Sequence, residues 1–155
     1  MADDEVYEEP VAKFEITCSL EPIKKKFFEH NIDAFRTELT SNSYRAFLAE
    51  YSYSNDYEGS PQFVVNNFLN GFVQQLEQER KYLFMGFRCV KDNFTYSIQS
   101  AWITNTKIPM SELIKDKYDY FIWRDLNLSL EDDMIRLLTV LSQEDDPRIT
   151  NVYLH

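Results

Sequence analysis

The longest amphipathic pattern in the chain predicts one long helix. Apolar side chains recur at three- and four-residue spacing from Phe63 to Leu76 and form one broad stripe. Ser60 is a favourable N-cap residue, and Pro61 suits the first helical position because its missing N–H costs nothing there. The predicted helix covers about 61–80, and at 1.5 Å per residue it is about 30 Å long. A helix of that length can cross one face of a four- or five-stranded sheet.

Alternating polar and apolar residues after this helix predict a β-hairpin. The segments 82–90 and 94–103 are rich in β-branched and aromatic residues, and a turn at 91–93 separates them. The remaining pattern predicts strands over 44–53 and 118–126 and short helices over 23–30, 32–39 and 129–141. The predicted class is α+β, a single domain in which the long helix packs across an antiparallel sheet and shorter helices flank it.

The charge of the chain is concentrated at its two ends. The formal net charge is −10, but five acidic residues lie within the first ten positions and three more lie at 144–146. We therefore predict an acidic N-terminal tail over 1–12, a folded domain over 13–142 and a C-terminal tail over 143–155. The remaining body is nearly neutral, so a local basic patch can meet phosphates although no dominant polyanion-binding field exists.

The sequence favours a cytoplasmic protein. No apolar run has the length of a membrane span, and the acidic N-terminus lacks the positive charge and apolar core of a signal peptide. Two cysteines, Cys18 and Cys89, make neither a disulfide framework nor a metal site, and we expect both to be buried, reduced thiols. No contact with a membrane is expected.

Residues that carry catalysis are missing at the spacings that such chemistry requires. His30 and His155 have no cysteine or acidic neighbours at metal-ligand spacing. Three glycines, Gly59, Gly71 and Gly86, are too far apart to form a phosphate-binding loop. We therefore predict no catalytic residues, no metal, no cofactor and no small-molecule substrate. An enzyme with a cryptic cleft is the least favoured alternative.

Three sequence motifs occur in a fixed order along the chain. Residues 51–53 read YSY, residues 67–84 read NFLNGFVQQLEQERKYLF, and residues 118–126 read YDYFIWRDL. Together they resemble the conserved C-terminal domain of eukaryotic translation elongation factor one gamma. That family has an aromatic pair, then an N-L-x-x-G-x-x-Q-x-L-x-x-x-R-K helix, and then a D-Y-x-x-Y-x-W-R-x-L segment. The resemblance covers about 14–141 and implies a non-enzymatic protein of the translation apparatus.

The resemblance implies two alternative functions. The family protein places a glutathione-transferase-like domain and a lysine-rich linker before this domain, and this sequence contains neither. A free-standing copy resembles the microsporidian ribosome dormancy factors. We therefore expect a ribosome-associated dormancy or hibernation factor that stabilises or silences idle ribosomes. The alternative is an accessory scaffold subunit of the elongation factor one nucleotide-exchange complex.

Basic residues are the candidate contacts for a ribosome. They would bind rRNA phosphates while the acidic tails bind basic ribosomal proteins, and the tRNA exit region is the working hypothesis for an otherwise unknown location. Trp123 and Arg124 are candidate interface residues because interfaces enrich both residue types. The competing interpretations are solvated lysines and a packed tryptophan beside a paired guanidinium. The candidate rRNA contacts are Lys24, Lys25, Lys26, Arg80, Lys81, Lys91, Lys107, Lys115 and Lys117.

Overall fold

The computed structural model describes residues 14–53, 59, 61–76, 81–93, 95–141 and 149–154 of the chain. In chain order the helices are α1 (Glu21–Phe28), α2 (Ile32–Ser41), α3 (Gln62–Gln75), α4 (Met110–Leu113) and α5 (Glu131–Leu141). The strands are β1 (Arg45–Tyr51), β2 (Leu83–Asp92), β3 (Thr95–Thr104), β4 (Phe121–Leu126) and β5 (Ile149–Leu154). A 3₁₀ helix, Lys115–Tyr120, precedes β4.

These strands form one antiparallel sheet in the order β4-β1-β3-β2-β5. The hairpin predicted from the alternating pattern is confirmed, since Leu83 lies opposite Thr104 and Asp92 lies opposite Thr95. Asn93 in the connection has a positive φ of 58°, a conformation that asparagine tolerates better than most residues. The predicted α+β class, with a single antiparallel sheet and flanking helices, is confirmed.

The first face of the sheet packs against α3 and α4. Phe72 of α3 lies against Phe87 of β2 and Phe121 of β4, with ring centroids 5.6 and 5.3 Å apart. Trp102 of β3 is fully buried beneath them, 5.4 Å from Phe87. Burial of side chains of this size contributes about 1.5–3 kcal/mol each, so this aromatic cluster holds α3 on the sheet.

The second face of the sheet packs against α1, α2 and α5. Phe84 and Ala101 on this face are completely buried, and Phe27 of α1 lies 5.6 Å from the Phe84 ring. The helices contribute Ile23, Phe35, Leu39, Leu137 and Leu141 to the same cluster. The sheet is therefore the middle of three layers, with helices on both sides.

The long helix is shorter than its sequence pattern predicts. It ends at Gln75, Leu76 is in a turn, and the predicted part over 77–80 lies outside the described residues. Leu76 is fully buried and is the last apolar residue of the stripe. Packing of an apolar stripe supplies most of the stability of a protein helix, so a helix tends to end where its stripe ends.

The prediction of a C-terminal tail over 143–155 is wrong for residues 149–154. These residues form β5, in which Leu154 lies opposite Gly86 and Asn151 lies opposite Cys89, with an irregularity between Cys89 and Val90. The open edge of β2 supplies backbone partners that a local sequence pattern does not reveal. The predicted N-terminal tail over 1–12 lies outside the described residues.

Two smaller expectations also differ from the structure. The strand expected over 118–126 begins at Phe121, because Tyr118 belongs to the 3₁₀ helix and its ring stacks on Trp123. Cys89 is buried as expected, whereas Cys18 is only half-buried. Within the described part of the chain, every helix is too short or too polar to cross a membrane.

Candidate functional site

Lys81 lies two residues before β2, and Lys91 is the next-to-last residue of that strand. This strand has ten residues, and nine rises of about 3.3 Å separate its first and last residues by about 30 Å. The Lys81 ammonium lies 5.2 Å from the centroid of the Tyr82 ring, and the Lys91 ammonium lies 5.6 Å from that of Tyr96. The two predicted contacts are therefore similar in surroundings but distant from each other.

Lys24 and Lys81 lie around one surface pocket of about 390 Å³, although 57 positions separate them in the sequence. Asn105 holds the walls of this pocket together. Its Nδ2 donates to the carbonyl oxygens of Cys18, at 2.9 Å, and Lys81, at 3.2 Å. The structure thus brings together two of the predicted phosphate contacts at the end of the sheet where β2 begins.

The other two lysines of the predicted triplet have different surroundings. Lys25 is exposed, whereas the Lys26 ammonium lies 3.2 Å from Oε1 of Glu38 on α2. Both lie in the last turn of α1, where positive charge stabilises the C-terminal end of a helix. Lys26 therefore has a structural role in joining α1 to α2.

The remaining predicted contacts do not join this pocket's lining. Lys107 is exposed and lines a separate pocket of about 280 Å³ on the first face. Lys115 and Lys117 lie in the 3₁₀ helix that precedes β4, the former exposed and the latter half-buried. Arg80 lies outside the described residues.

Trp123 and Arg124 point to opposite faces of β4. The Trp123 indole Nε1 donates to the carbonyl oxygen of Tyr118 at 2.8 Å, and the two rings stack with centroids 5.0 Å apart. Trp123 also packs 5.1 Å from Trp102, so it extends the aromatic core of the first face. Arg124 lies on the second face, where its guanidinium is 3.9 Å from Oδ1 of Asp133 and its side chain is 58% exposed.

A groove of about 440 Å³ lies between α5 and the second face of the sheet. Two large apolar side chains are exposed in it: Ile122 of β4 is 69% exposed and Ile135 of α5 is 50% exposed. Three arginines, Arg88, Arg124 and Arg136, also line it. The groove thus combines apolar surface with guanidinium groups, as protein-binding surfaces do.

Asp133 fixes the position of two of these arginines. Its Oδ1 accepts a hydrogen bond from Nη1 of Arg136 at 3.0 Å and also faces Arg124. Its Oδ2 accepts the backbone N–H of Asn127 at 2.8 Å. The pKa of Asp133 lies below its ordinary value, first because of the Asn127 N–H and then because of the two guanidinium groups. One carboxylate is thus the anionic partner of two guanidinium groups.

Arg88 forms the far wall of the groove. Its Nε donates to Oε1 of Gln99 at 2.7 Å, and its Nη1 donates to the carbonyl oxygen of Thr139 at 3.1 Å. Arg88 thereby ties the sheet to α5. This part of the groove is held in place by hydrogen bonds.

The side chains that line the groove are suited to binding a partner protein. Its arginines and carboxylates are engaged in ion pairs and hydrogen bonds. Among the residues that the structure describes, no group of three histidine, cysteine, aspartate or glutamate side chains is placed to hold a metal ion.

Sequence reasoning missed Arg88, Arg136, Ile122 and Ile135. One signal for Ile135 was present: it is apolar but lies off the helical stripe of Met134, Leu137 and Leu141. Nothing in the local sequence around Arg88 indicated that its guanidinium would reach a different helix. Only the packing of α5 on the sheet brings these side chains together.

Comparison with known proteins gives one family. The model for elongation factor 1 gamma, conserved domain, matches residues 8–107. Elongation factor 1-gamma of Schizosaccharomyces pombe is 30% identical over 104 residues, which cover 65% of this chain and 23% of that protein. Elongation factor 1-gamma of Prunus avium is 23% identical over 124 residues, which cover 79% of this chain and 29% of that protein. The chain therefore spans about a quarter of the length of these curated relatives.

Proposed function

The chain belongs to the elongation factor 1 gamma conserved-domain family, and from that premise we propose that it is an accessory scaffold subunit of the elongation factor 1 nucleotide-exchange complex. The observation that carries this proposal is the match over residues 8–107, which spans α1 to β3. The two relatives described above bear the same family name. In this role the chain binds protein subunits and breaks no covalent bond.

The surface of the fold supports a protein-binding role. The groove between α5 and the sheet exposes Ile122 and Ile135 beside arginines. Apolar side chains and arginine are enriched in the buried centres of protein interfaces. Trp102 and its aromatic neighbours are buried in the core and are not available to a partner.

Capture of purified subunits tests the scaffold role. The tagged full chain, immobilised at micromolar concentration, is incubated with the purified nucleotide-exchange subunit and washed at physiological salt. We expect near-stoichiometric retention, and the tag alone is the control. Retention no greater than on the tag would contradict the scaffold function.

A dormancy or hibernation factor on idle ribosomes is the second candidate function. The observation that favours it is that Lys24 and Lys81 line one pocket, together with Glu21, because lysines are among the residues that contact backbone phosphates. In that role the chain contacts rRNA phosphates and basic ribosomal proteins. Both functions belong in the cytoplasm, where translation elongation takes place.

A further inference from the structure

The outer edge of β4 is open in the described part of the chain. β4 is the terminal strand of the sheet and pairs only with β1 on its inner side. An open edge presents a row of backbone N–H and C=O groups that can pair with another strand. β4 is therefore a place where an extended segment could extend the sheet.

The register of β4 shows which backbone groups face outward. The N–H of Ser52 donates to the carbonyl oxygen of Tyr120 at 2.8 Å, which makes these two residues a hydrogen-bonded pair. Hydrogen-bonded and non-hydrogen-bonded pairs alternate along an antiparallel ladder. Trp123 and Asp125 therefore direct their N–H and C=O groups away from β1. Phe121 directs its C=O the same way, whereas its N–H donates to the carbonyl oxygen of Tyr118.

The outer surface of β4 also carries apolar area. Ile122 is 69% exposed, and Ile135 beside it in the groove is 50% exposed. An apolar side chain from a neighbouring strand, about 4.8 Å away, would lie against Ile122. This contact would remove both isoleucines from water.

The second contact that a partner strand could make is an ion pair with Arg124. Arg124 and Arg136 share the single carboxylate of Asp133, and Arg124 is the more distant of the two, at 3.9 Å. Asp133 already accepts the Asn127 N–H through its other oxygen. A further carboxylate beside Arg124 would give this guanidinium a closer anionic partner.

We propose that an extended segment of a protein partner pairs with the outer edge of β4, antiparallel to it. This segment places an acidic residue opposite Arg124 and, two positions later, an apolar residue opposite Ile122. The inference rests on the proposed function as a protein-binding subunit and assigns the surface at which it binds. The recognised pattern is acid-x-apolar within a β-strand.

The β4 strand of a second copy of the chain does not fit this edge. Opposite residues of paired strands share a face, and Ile122, Arg124 and Leu126 are the β4 residues on the second face. In an antiparallel pair of β4 strands, Arg124 would therefore meet isoleucine, leucine or another Arg124. None of these supplies a carboxylate, so the partner is a different segment.

A peptide titration tests the proposal. The probe is acetyl-Gly-Thr-Glu-Thr-Val-Thr-Gly-amide, added to the ¹⁵N-labelled full chain and followed by amide chemical shifts. We expect saturable shifts and slower solvent exchange at the N–H groups of Trp123 and Asp125. The same peptide with lysine in place of glutamate is the control, and we expect it to bind about tenfold more weakly.

Two variants at Asp125 isolate the backbone contact. Asp125→Pro removes an outward N–H, whereas Asp125→Asn removes the same charge and keeps the N–H. We expect Asp125→Pro to weaken binding at least about fivefold and Asp125→Asn to leave it within about twofold. Thermal unfolding of both variants shows whether each is folded.

A charge-reversal variant at Arg124 tests the same proposal if Asp125→Pro does not fold. Arg124→Glu should lose the glutamate peptide and bind the lysine peptide instead. The proposal is overturned if the probe shifts no β4 amide at millimolar concentration, if both peptides bind Arg124→Glu equally, or if a single-stranded RNA oligonucleotide shifts these amides and the peptide does not. If the peptide does not bind but the exchange subunit is captured, the β4 edge is excluded as the binding surface and the scaffold function stands. If the peptide binds but the exchange subunit is not captured, the scaffold function is excluded and the β4 edge stands as a binding surface.

Discussion

Phe72 attaches α3 to the sheet through aromatic contacts. Its side chain is 4% exposed, and its ring contacts Phe68, Phe87 and Phe121 at centroid distances of 5.3–6.1 Å. Three aromatic neighbours cannot close the space that the ring would leave, because protein cores are packed as densely as organic crystals. Removal of this ring would therefore leave a cavity in the core.

We expect Phe72→Ala to lower the free energy of unfolding by about 3–5 kcal/mol, through lost apolar burial and the cavity that remains. Chemical denaturation followed by circular dichroism measures this change. Gln74→Ala, at an exposed position of the same helix, is the control and should change stability by less than about 0.5 kcal/mol. Equal stability of the two variants would show that Phe72 lies outside the core.

The environment of Asp133 predicts how the stability of the fold changes with pH. Its folded pKa is depressed by the Asn127 N–H and by Arg136 and Arg124, so its carboxylate stabilises the fold at neutral pH. That contribution is complete above the ordinary aspartate pKa near 3.9 and is lost as pH falls through the lower folded value. The stability that Asp133 supplies thus disappears in acid.

We expect Asp133→Asn to be less stable than the natural chain at pH 7, with a difference that shrinks below about pH 4. Thermal unfolding across that pH range measures it. Asp132→Asn, at the exposed neighbouring position, is the control and should show a smaller difference at pH 7. A difference for Asp133→Asn that stays constant with pH would contradict the ion-pair interpretation.

At the scale of elements, side-chain capping sets where α2 begins. Asn31 precedes the helix, and its Oδ1 accepts the backbone N–H of Ala34 at 3.2 Å. This bond satisfies one of the N–H groups that a helix start leaves without an intrahelical partner. α2 is thereby fixed against α1 and the second face of the sheet.

We expect Asn31→Ala to cost about 0.5–2 kcal/mol of stability, because it removes the cap acceptor. Asn31→Ser keeps an acceptor oxygen and should stay close to the natural chain. Urea unfolding compares the three proteins. If alanine and serine at this position were equally stable, the hydrogen bond to Ala34 would not contribute.

At the scale of the whole molecule, two lysines at different places on the surface allow a test between the two proposed functions. Lys81 lies just before β2 and Lys91 near its end, and each lies beside a tyrosine ring, yet Lys81 and not Lys91 lines the pocket that Lys24 lines. Replacing either lysine with glutamate changes the net charge equally. The pair is therefore a matched test of a local phosphate contact against a general charge effect.

For a ribosome-bound function we expect Lys81→Glu to reduce co-sedimentation with ribosomes and Lys91→Glu to leave it nearly unchanged. Pelleting of the natural chain should also weaken between low and high salt, as counterions screen phosphate contacts. Sedimentation at two salt concentrations measures both effects. Equal loss in both variants would indicate nonspecific attraction, and absence of pelleting would leave the exchange complex as the proposed site of action.

The local sequence determined much of the architecture. The apolar stripe that ends at Leu76 reports the buried face of α3, and the alternation along β3 reports one of the two faces of that strand. The burial of Ala101 and Ile103 on its other face depends on the helices that cover them. Such periodicity follows from the geometry of one helix or strand, so it is readable without knowledge of neighbours. The α+β class, the hairpin and the family resemblance were all available at this level.

Tertiary structure alone decided which distant elements meet. β5 exists as a strand because β2 offers an open edge, and the groove exists because Asp133 and Thr139 of α5 lie against arginines of the sheet. These contacts join segments far apart in sequence, and their formation depends on which backbone and side-chain groups remain unpaired after the core has packed. A periodic pattern carries no information about such pairings. For that physical reason the sequence predicted the elements, while the fold placed the surface proposed to bind a partner.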